Sequence, residues 1–449
     1  MRLPKPAAER PTSGRVTDGL ATVLDGIARK RPASSFALIS GKTSLTSRVG
    51  AGRRALMTTD QAVGLAREDE GPQRATLLEL FLDLVFVAAL ALTSRNLAQR
   101  LDWVGGFETV VLLMAIWWVW AASALSTELH HPGRPPILAM TLWVMFGTIL
   151  MASSLPGAFA EHGLVFAGAY VAIQVGRGAF LVAVPGGHLR QQHFGRLTFW
   201  FAVSAVPWLA GAFVSGPARG LLWTTALAVD YAAAWLRYPT PGIGRLPTPR
   251  YAVAADHLAE RYQQIFTLAL GDLILIITLT YAAHDLTLDR TAALLVGFTA
   301  AVLLWQIYVH RAGALLKAAI EASRDPGRFV RSAPNTHLLM VAGIVAASAG
   351  FEAVIAHPAE KASPWLVGVL LGGPAMFLLG RTRFEYEVFS RVSPSRLLAL
   401  LVLAVAGPIL VRTPALVAGL AAILVLAGVA AADSIRAHGR SPEPPMPST

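Results

Sequence analysis

Residues 77–93 read Leu77-Leu78-Glu79-Leu80-Phe81-Leu82-Asp83-Leu84-Val85-Phe86-Val87-Ala88-Ala89-Leu90-Ala91-Leu92-Thr93. At about 1.5 Å per residue, a helix of this length crosses most of a ~30 Å hydrocarbon layer. Every residue but Glu79, Asp83 and Thr93 is apolar. The two acids are spaced i, i+4 and so share one helix face. A carboxylate is expensive in hydrocarbon, so that face must turn into a bundle while the others meet lipid. Comparable apolar runs recur at 107–125, 136–156, 163–184, 196–214, 218–236, 265–283, 292–310, 337–357, 364–380, 396–411 and 414–432. The expected fold is therefore all-α, a polytopic transmembrane helix bundle of about twelve spans.

Composition agrees with that reading. The chain is 54% hydrophobic and 14% charged, with a mean hydropathy of +0.53, more apolar surface than one soluble core of 449 residues hides. The absence of cysteine excludes disulfides, thiolate metal sites and cysteine nucleophiles, and no redox chemistry of its own is expected. The net charge of +11 would suit nucleic acid if it were spread over a folded surface. Instead, residues 1–57 carry eleven Lys/Arg against Glu9, Asp18 and Asp25, so most of the excess is one tail and no nucleic-acid partner is expected.

That tail, residues 1–75, is read as a basic, disordered cytoplasmic arm without the apolar core of a signal peptide. It could instead touch anionic headgroups, at about 1 kcal/mol per well-placed cation, or translation could begin at Met57. The remaining organisation is a first transmembrane half of six spans (76–236), a cytoplasmic linker with an interfacial helix (237–264), a second half of six spans (265–432) and a disordered tail (433–449). With twelve spans and the N-terminus inside, seventeen Lys/Arg fall in inside loops and six in outside loops. This positive-inside bias predicts a multi-pass protein of the cell membrane with both termini cytoplasmic.

Each half opens with an acid inside a span, Asp83 and Asp272. Aromatic clusters follow at Trp117-Trp118-Val119-Trp120 and Trp305-Gln306-Ile307-Tyr308, then Gly176-Arg177 and Gly380-Arg381. Three landmarks in one order suggest a parallel six-plus-six helix repeat. Glu79 and Asp83 share a depth with Arg177, as Asp272 does with Arg381, so these are the expected charge pairs. Glu260 and Arg261 lie at the cytoplasmic mouth, and Glu352 is a further interior acid. Such groups serve either as a clamp between helices or as a substrate or ion pathway.

Other chemistry is sparse. No phosphate-binding loop with its lysine, no His-Glu-x-x-His and no Gly-x-Ser-x-Gly is present, so neither ATP-driven pumping nor the commoner hydrolytic chemistry is indicated. Gly372-Gly373-Pro374 and Gly176-x-Gly178 suit close helix packing better than phosphate. His130 and His131 lack a third ligand nearby, and His162 reads as an ordinary interfacial residue. No catalytic residues, metal or cofactor are expected.

The run Leu78-Glu79-Leu80-Phe81-Leu82-Asp83-Leu84-Val85-Phe86-Val87 resembles the first-span signature Leu-Glu-Leu-Phe-Phe-Asp-Leu-Val-Phe-Val of the bacterial low temperature requirement protein A family. Similar to it as well are Trp117 to Trp120, Ala169-Tyr170-Val171-Ala172-Ile173 to Gly176-Arg177, His257-Leu258-Ala259-Glu260-Arg261, Ser323 to Pro326, Val341-Ala342-Gly343-Ile344 through His357-Pro358, and Gly372-Gly373-Pro374. The likeness is collinear over about residues 75–432 and omits the arm. Two departures stand out. Leu270-Gly271-Asp272-Leu273 replaces a Leu-Gly-Glu-Ser run, and Tyr262-Gln263 replaces an aromatic-histidine pair. The resemblance implies a multi-pass bacterial membrane protein and no particular activity.

Three function classes follow. A secondary transporter or permease for a small solute or ion suits the spans, the repeat and the buried acids. An ion channel is the second, since Phe81-Leu82-Asp83 faintly resembles the Phe-Ser-Asp signature of endolysosomal-type potassium channels built on six-helix repeats. A membrane-embedded enzyme acting on lipid or isoprenoid is the third.

Overall fold

The computed structural model describes residues 75–184, 188–245, 255–309, 312–323 and 326–438. The expected arm, apart from Ala75, lies outside them, as do Pro247 and Pro249 of the linker and the tail beyond His438. Thirteen α-helices form among the described residues: α1 Leu77–Gln99, α2 Trp103–Leu129, α3 Pro135–Ser154, α4 Gly163–Ala183, α5 His188–Ala212, α6 Pro217–Trp235, α7 Ala255–Ala282, α8 Leu288–Val309, α9 Ala312–Ala322, α10 Pro326–Ala356, α11 Pro364–Phe389, α12 Pro394–Leu410 and α13 Ala415–Ala437. Twelve of them, all but the short α9, stand where the twelve apolar runs lie. Nine are long and apolar enough to cross a membrane. α12 is apolar but shorter, and α5 and α6 occupy the fifth and sixth expected positions.

Local chemistry sets the starts. Thr76 caps α1 in a capping box, accepting from Glu79 N at 3.3 Å while Glu79 Oε2 accepts from Thr76 N at 2.8 Å. Asp102 accepts from Gly105 N at 2.7 Å to begin α2, and Ser363 caps α11. Proline occupies the first turn of α3, α6, α11 and α12, where its missing N–H costs nothing.

The burial pattern departs from that of a soluble protein: the core is apolar, and so is much of the outer face. On α1, Glu79 and Asp83 are fully buried, while Phe81 and Leu84 are more than half exposed. Apolar side chains outside and carboxylates inside suit a lipid surround, where the hydrocarbon is the good solvent for leucine and phenylalanine.

The two halves repeat one packing pattern. α1 packs on α2 and α3, α3 on α4, α4 on α5, α5 on α6, and α6 returns to α2. In the second half α7 packs on α8 and α10, α10 on α11, α11 on α12, α12 on α13, and α13 returns to α8. The halves meet chiefly where α1 lies against α7 and α10. The tightest helix crossing is α10 on α11. A Cβ on Gly343 would fall 2.5 Å from Gly373 O, and one on Gly373 would fall 2.7 Å from Ala347 N. Glycine there lets two backbones touch, and Gly178 makes room for the side chain of Thr198.

Boundaries differ from the sequence reading at α5, which starts at His188, at α10, which starts at Pro326, and at α11, which ends at Phe389, each by two turns or more, and at two places near the site. α2 runs to Leu129, four residues past the expected end of its span, and so includes Glu128. The segment expected as an interfacial helix forms the first turns of α7, and its His257 and Arg261 are buried.

Candidate functional site

α1 and α7, the first helices of the two halves, lie side by side and parallel at a constant offset. Glu79 meets His257, Asp83 meets Arg261 and Ser94 meets Asp272, each pair 178 residues apart. Contacts at one fixed offset require two helices running in the same direction in a single register.

At the N-terminal end of this pair, Arg261 donates from Nη1 to Asp83 Oδ2 and from Nη2 to Asp83 Oδ1, both at 2.8 Å. This is the two-pronged geometry that makes guanidinium–carboxylate pairs strong. Arg261 Nη1 also donates to Glu79 O at 3.0 Å, and Trp120 Nε1 donates to Asp83 Oδ1 at 2.9 Å. The ring of Trp120 lies 6.0 Å from the guanidinium carbon. All four side chains are buried.

Beside this pair, the imidazole of His257 is held between two acids. Its Nε2 lies 3.0 Å from Glu79 Oε1, and its Nδ1 bonds Glu128 Oε2. Carboxylate oxygens only accept, and a neutral imidazole donates from one nitrogen. Both contacts are hydrogen bonds only if the triad Glu79–His257–Glu128 holds one proton more than two carboxylates and a neutral ring. Among the described residues, the cluster sets the carboxyl groups of Glu79, Asp83 and Glu128 around the permanent cation of Arg261. Glu260, one residue before Arg261, takes Ala75 N at 2.9 Å. An aromatic layer continues inward: Tyr262 lies 4.4 Å from the His337 ring, and Tyr308 Oη is 3.2 Å from His337 Nε2.

From residue 83 to residue 94, about 16 Å of helix, the buried residues are largely apolar, among them Phe86, Ala89 and Leu90 on α1 and Ile265, Phe266 and Ala269 on α7, with the buried Oε1 of Gln264 the polar exception on α7. Polarity then returns. Ser94 Oγ lies 3.3 Å from Asp272 Oδ2, and beyond it opens a cavity of about 280 Å³ lined by Arg95, Gln99, His284, Glu352 and His357 among apolar residues of α7 and α10.

The expected charge pairs are not formed. Arg177 is buried on α4, donating to Ser123 Oγ at 2.8 Å, to Val119 O at 3.4 Å and to Gln174 Oε1, with the Phe201 ring 5.9 Å away. Arg381 on α11 reaches Ile307 O at 3.5 Å and lies over Phe384. Neither touches Asp83 or Asp272. Matching depth along the membrane normal says nothing about direction around the bundle, and α4 packs on α3 and α5 while α1 faces α7. The two arginines do occupy equivalent places, since Val119 and Ile307 each precede the last aromatic in the second helix of its half. Thus Glu79, Asp83, Glu260 and Arg261 converge at one end of the seam, Asp272 and Glu352 lie at the other, and Arg177 and Arg381 stand apart.

The family model for the bacterial low temperature requirement A protein matches residues 74–431. The chain belongs to that family. It is also 33% identical over 336 residues to an uncharacterized protein of Rhizobium meliloti, covering 74% of this chain and 81% of the relative. No solved structure matches. The matched region of this family member contains all thirteen helices except the last turns of α13, and with them every residue of the seam.

His257 and Glu128 were not among the expected site residues. The signal for His257 was present, because His257 and Arg261 repeat on α7 the i, i+4 spacing of Glu79 and Asp83 with complementary chemistry. Glu128 carried no such signal, since it lies beyond the apolar run that marked its span.

Proposed function

We propose that this protein is a secondary transporter of the bacterial cell membrane, moving a small solute or ion, with both termini in the cytoplasm. One observation carries the reading: two parallel helices, one from each of two similarly packed halves, bring ionisable groups into contact at one end of a largely apolar seam and bury a further carboxylate, Asp272, against Ser94 at the other. Buried ionisable groups at a repeat interface are what coupled carriers use to bind and release protons or ions. In this reading the Glu79–His257–Glu128 triad holds the mobile proton, and Arg261 and Asp83 set its electrostatics. Asp272 and Glu352 serve the opposite side. Arg177 and Arg381 pin α4 to α2 and α11 to α8. Seventeen against six Lys/Arg in the loops supports the orientation.

The test is the purified full-length protein in liposomes enclosing a pH-sensitive dye, challenged with a panel of ions and small solutes under an imposed proton gradient. Solute-dependent proton movement that vanishes in Glu79→Gln supports the carrier. Unitary conductance in a planar bilayer would replace it with a channel, and chemical conversion of a lipid without flux would replace it with an enzyme.

A further inference from the structure

Beneath the cavity lies a polar layer that the ion pairs at the other end of the seam do not use. Three parallel helices build it: Ser94 on α1, Asp272 on α7 and Ser348 on α10. Each stands one helical turn before a residue of the cavity wall, Ala98, Ile276 and Glu352 respectively. Ser94, Asp272 and Ser348 are all at most 1% exposed. Ser94 Oγ lies 3.3 Å from Asp272 Oδ2, but Asp272 Oδ1, Ser348 Oγ and Glu352 Oε2 have no hydrogen-bond partner among the described residues. Three orphaned oxygens around the floor of one cavity are costly unless something meets them.

We propose that this layer binds one monovalent alkali cation, reached through the cavity and coordinated by Asp272, Glu352, Ser94 and Ser348. The donor set is all oxygen, which suits hard cations and not the transition metals that favour nitrogen or sulfur. Charge selects the valence. Asp272 and Glu352 carry two negative charges, Arg95 lines the same wall, and the remaining single negative charge matches a monovalent ion. Two neighbouring carboxylates in a buried site resist joint ionisation, so a cation between them relieves a repulsion as well as filling coordination. The ion's role as the coupling ion rests on the transport reading, whereas its binding does not.

The experiment uses the full-length protein in detergent micelles at pH 8. Thermal unfolding is followed by tryptophan fluorescence in sodium, potassium or lithium chloride, with choline chloride keeping the ionic strength constant. A saturable rise in the unfolding temperature with at least one alkali ion is expected, because a ligand bound only to the folded state stabilises it by mass action. Asp272→Asn should abolish the rise, and the milder Ser348→Ala should raise the half-saturating concentration several-fold. Equal melting in alkali and choline salts overturns the proposal. So does a rise that survives Asp272→Asn, or a stability that follows pH and ignores the cation, which would mean that a proton serves the two acids instead. Binding without any measurable flux leaves this site standing and removes the transporter; flux without cation-dependent stability does the reverse.

Discussion

Arg261 holds both carboxylate oxygens of Asp83 at 2.8 Å across a gap of 178 residues in sequence. The pair joins the first helix of one half to the first helix of the other, and it is buried on all sides. Breaking one member of such a pair strands a charge, which typically costs about 3–5 kcal/mol.

Either Asp83→Asn or Arg261→Gln alone should therefore lower the unfolding temperature sharply, and the double change should cost less than the two single effects added. A coupling of at least about 1 kcal/mol is expected for groups in contact. Asp83→Asn with Arg177→Gln should be additive, because Arg177 bonds Ser123 and Val119 O instead. Coupling in the second cycle and none in the first would reverse the assignment.

His257 stands between Glu79 and Glu128. His257→Gln keeps an amide N–H for one carboxylate but cannot take up a proton. Folded yield should survive this change, while any pH dependence of flux through the protein should flatten. A variant that keeps the full pH profile takes His257 out of proton handling.

Gly372 and Gly373 are adjacent but not equivalent. A Cβ at Gly373 meets backbone atoms of Ala347 and Gly343 at 2.7 and 2.8 Å, whereas one at Gly372 meets nothing within 4 Å. Gly373→Ala should destabilise by about 1–3 kcal/mol through overpacking. Gly372→Ala should be neutral or mildly stabilising, since alanine is the better helix former. Melting of the two purified variants side by side separates them.

Reporter fusions near Pro132 and Thr248 should read cytoplasmic, and fusions near His162 and Asp285 external, as the distribution of Lys/Arg requires. The opposite pattern would invert the orientation and place the triad of His257 at the outer face.

Much of the architecture was legible because lipid imposes a simple rule on composition, and all twelve apolar runs are helices in the structure. The shared face of Glu79 and Asp83 followed from their spacing alone. What those acids meet did not follow. Hydropathy gives depth but no azimuth, so depth matching points Asp83 to Arg177 and leaves Arg261 at the cytoplasmic mouth. The turn-long extension of α2 that brings in Glu128 was hidden for a related reason. Once a helix leaves the hydrocarbon its residues lose their apolar bias, and the run no longer marks where the helix stops.

The spacing of the seam's contacts has a mechanical side. Glu79 and Asp83 are one turn apart, and so are His257 and Arg261, so sliding α7 by one turn, about 5.4 Å, would set Arg261 opposite Glu79. That slide would leave Asp83 opposite Ile265 with its charge unpaired, so the charged end itself accepts one alignment only. Ser94 and Asp272 tolerate one, because a turn to either side of Ser94 stand Leu90 and Ala98. The alignment of the two halves is therefore indexed at both ends of the seam, by the Arg261–Asp83 pair and by the Ser94–Asp272 contact.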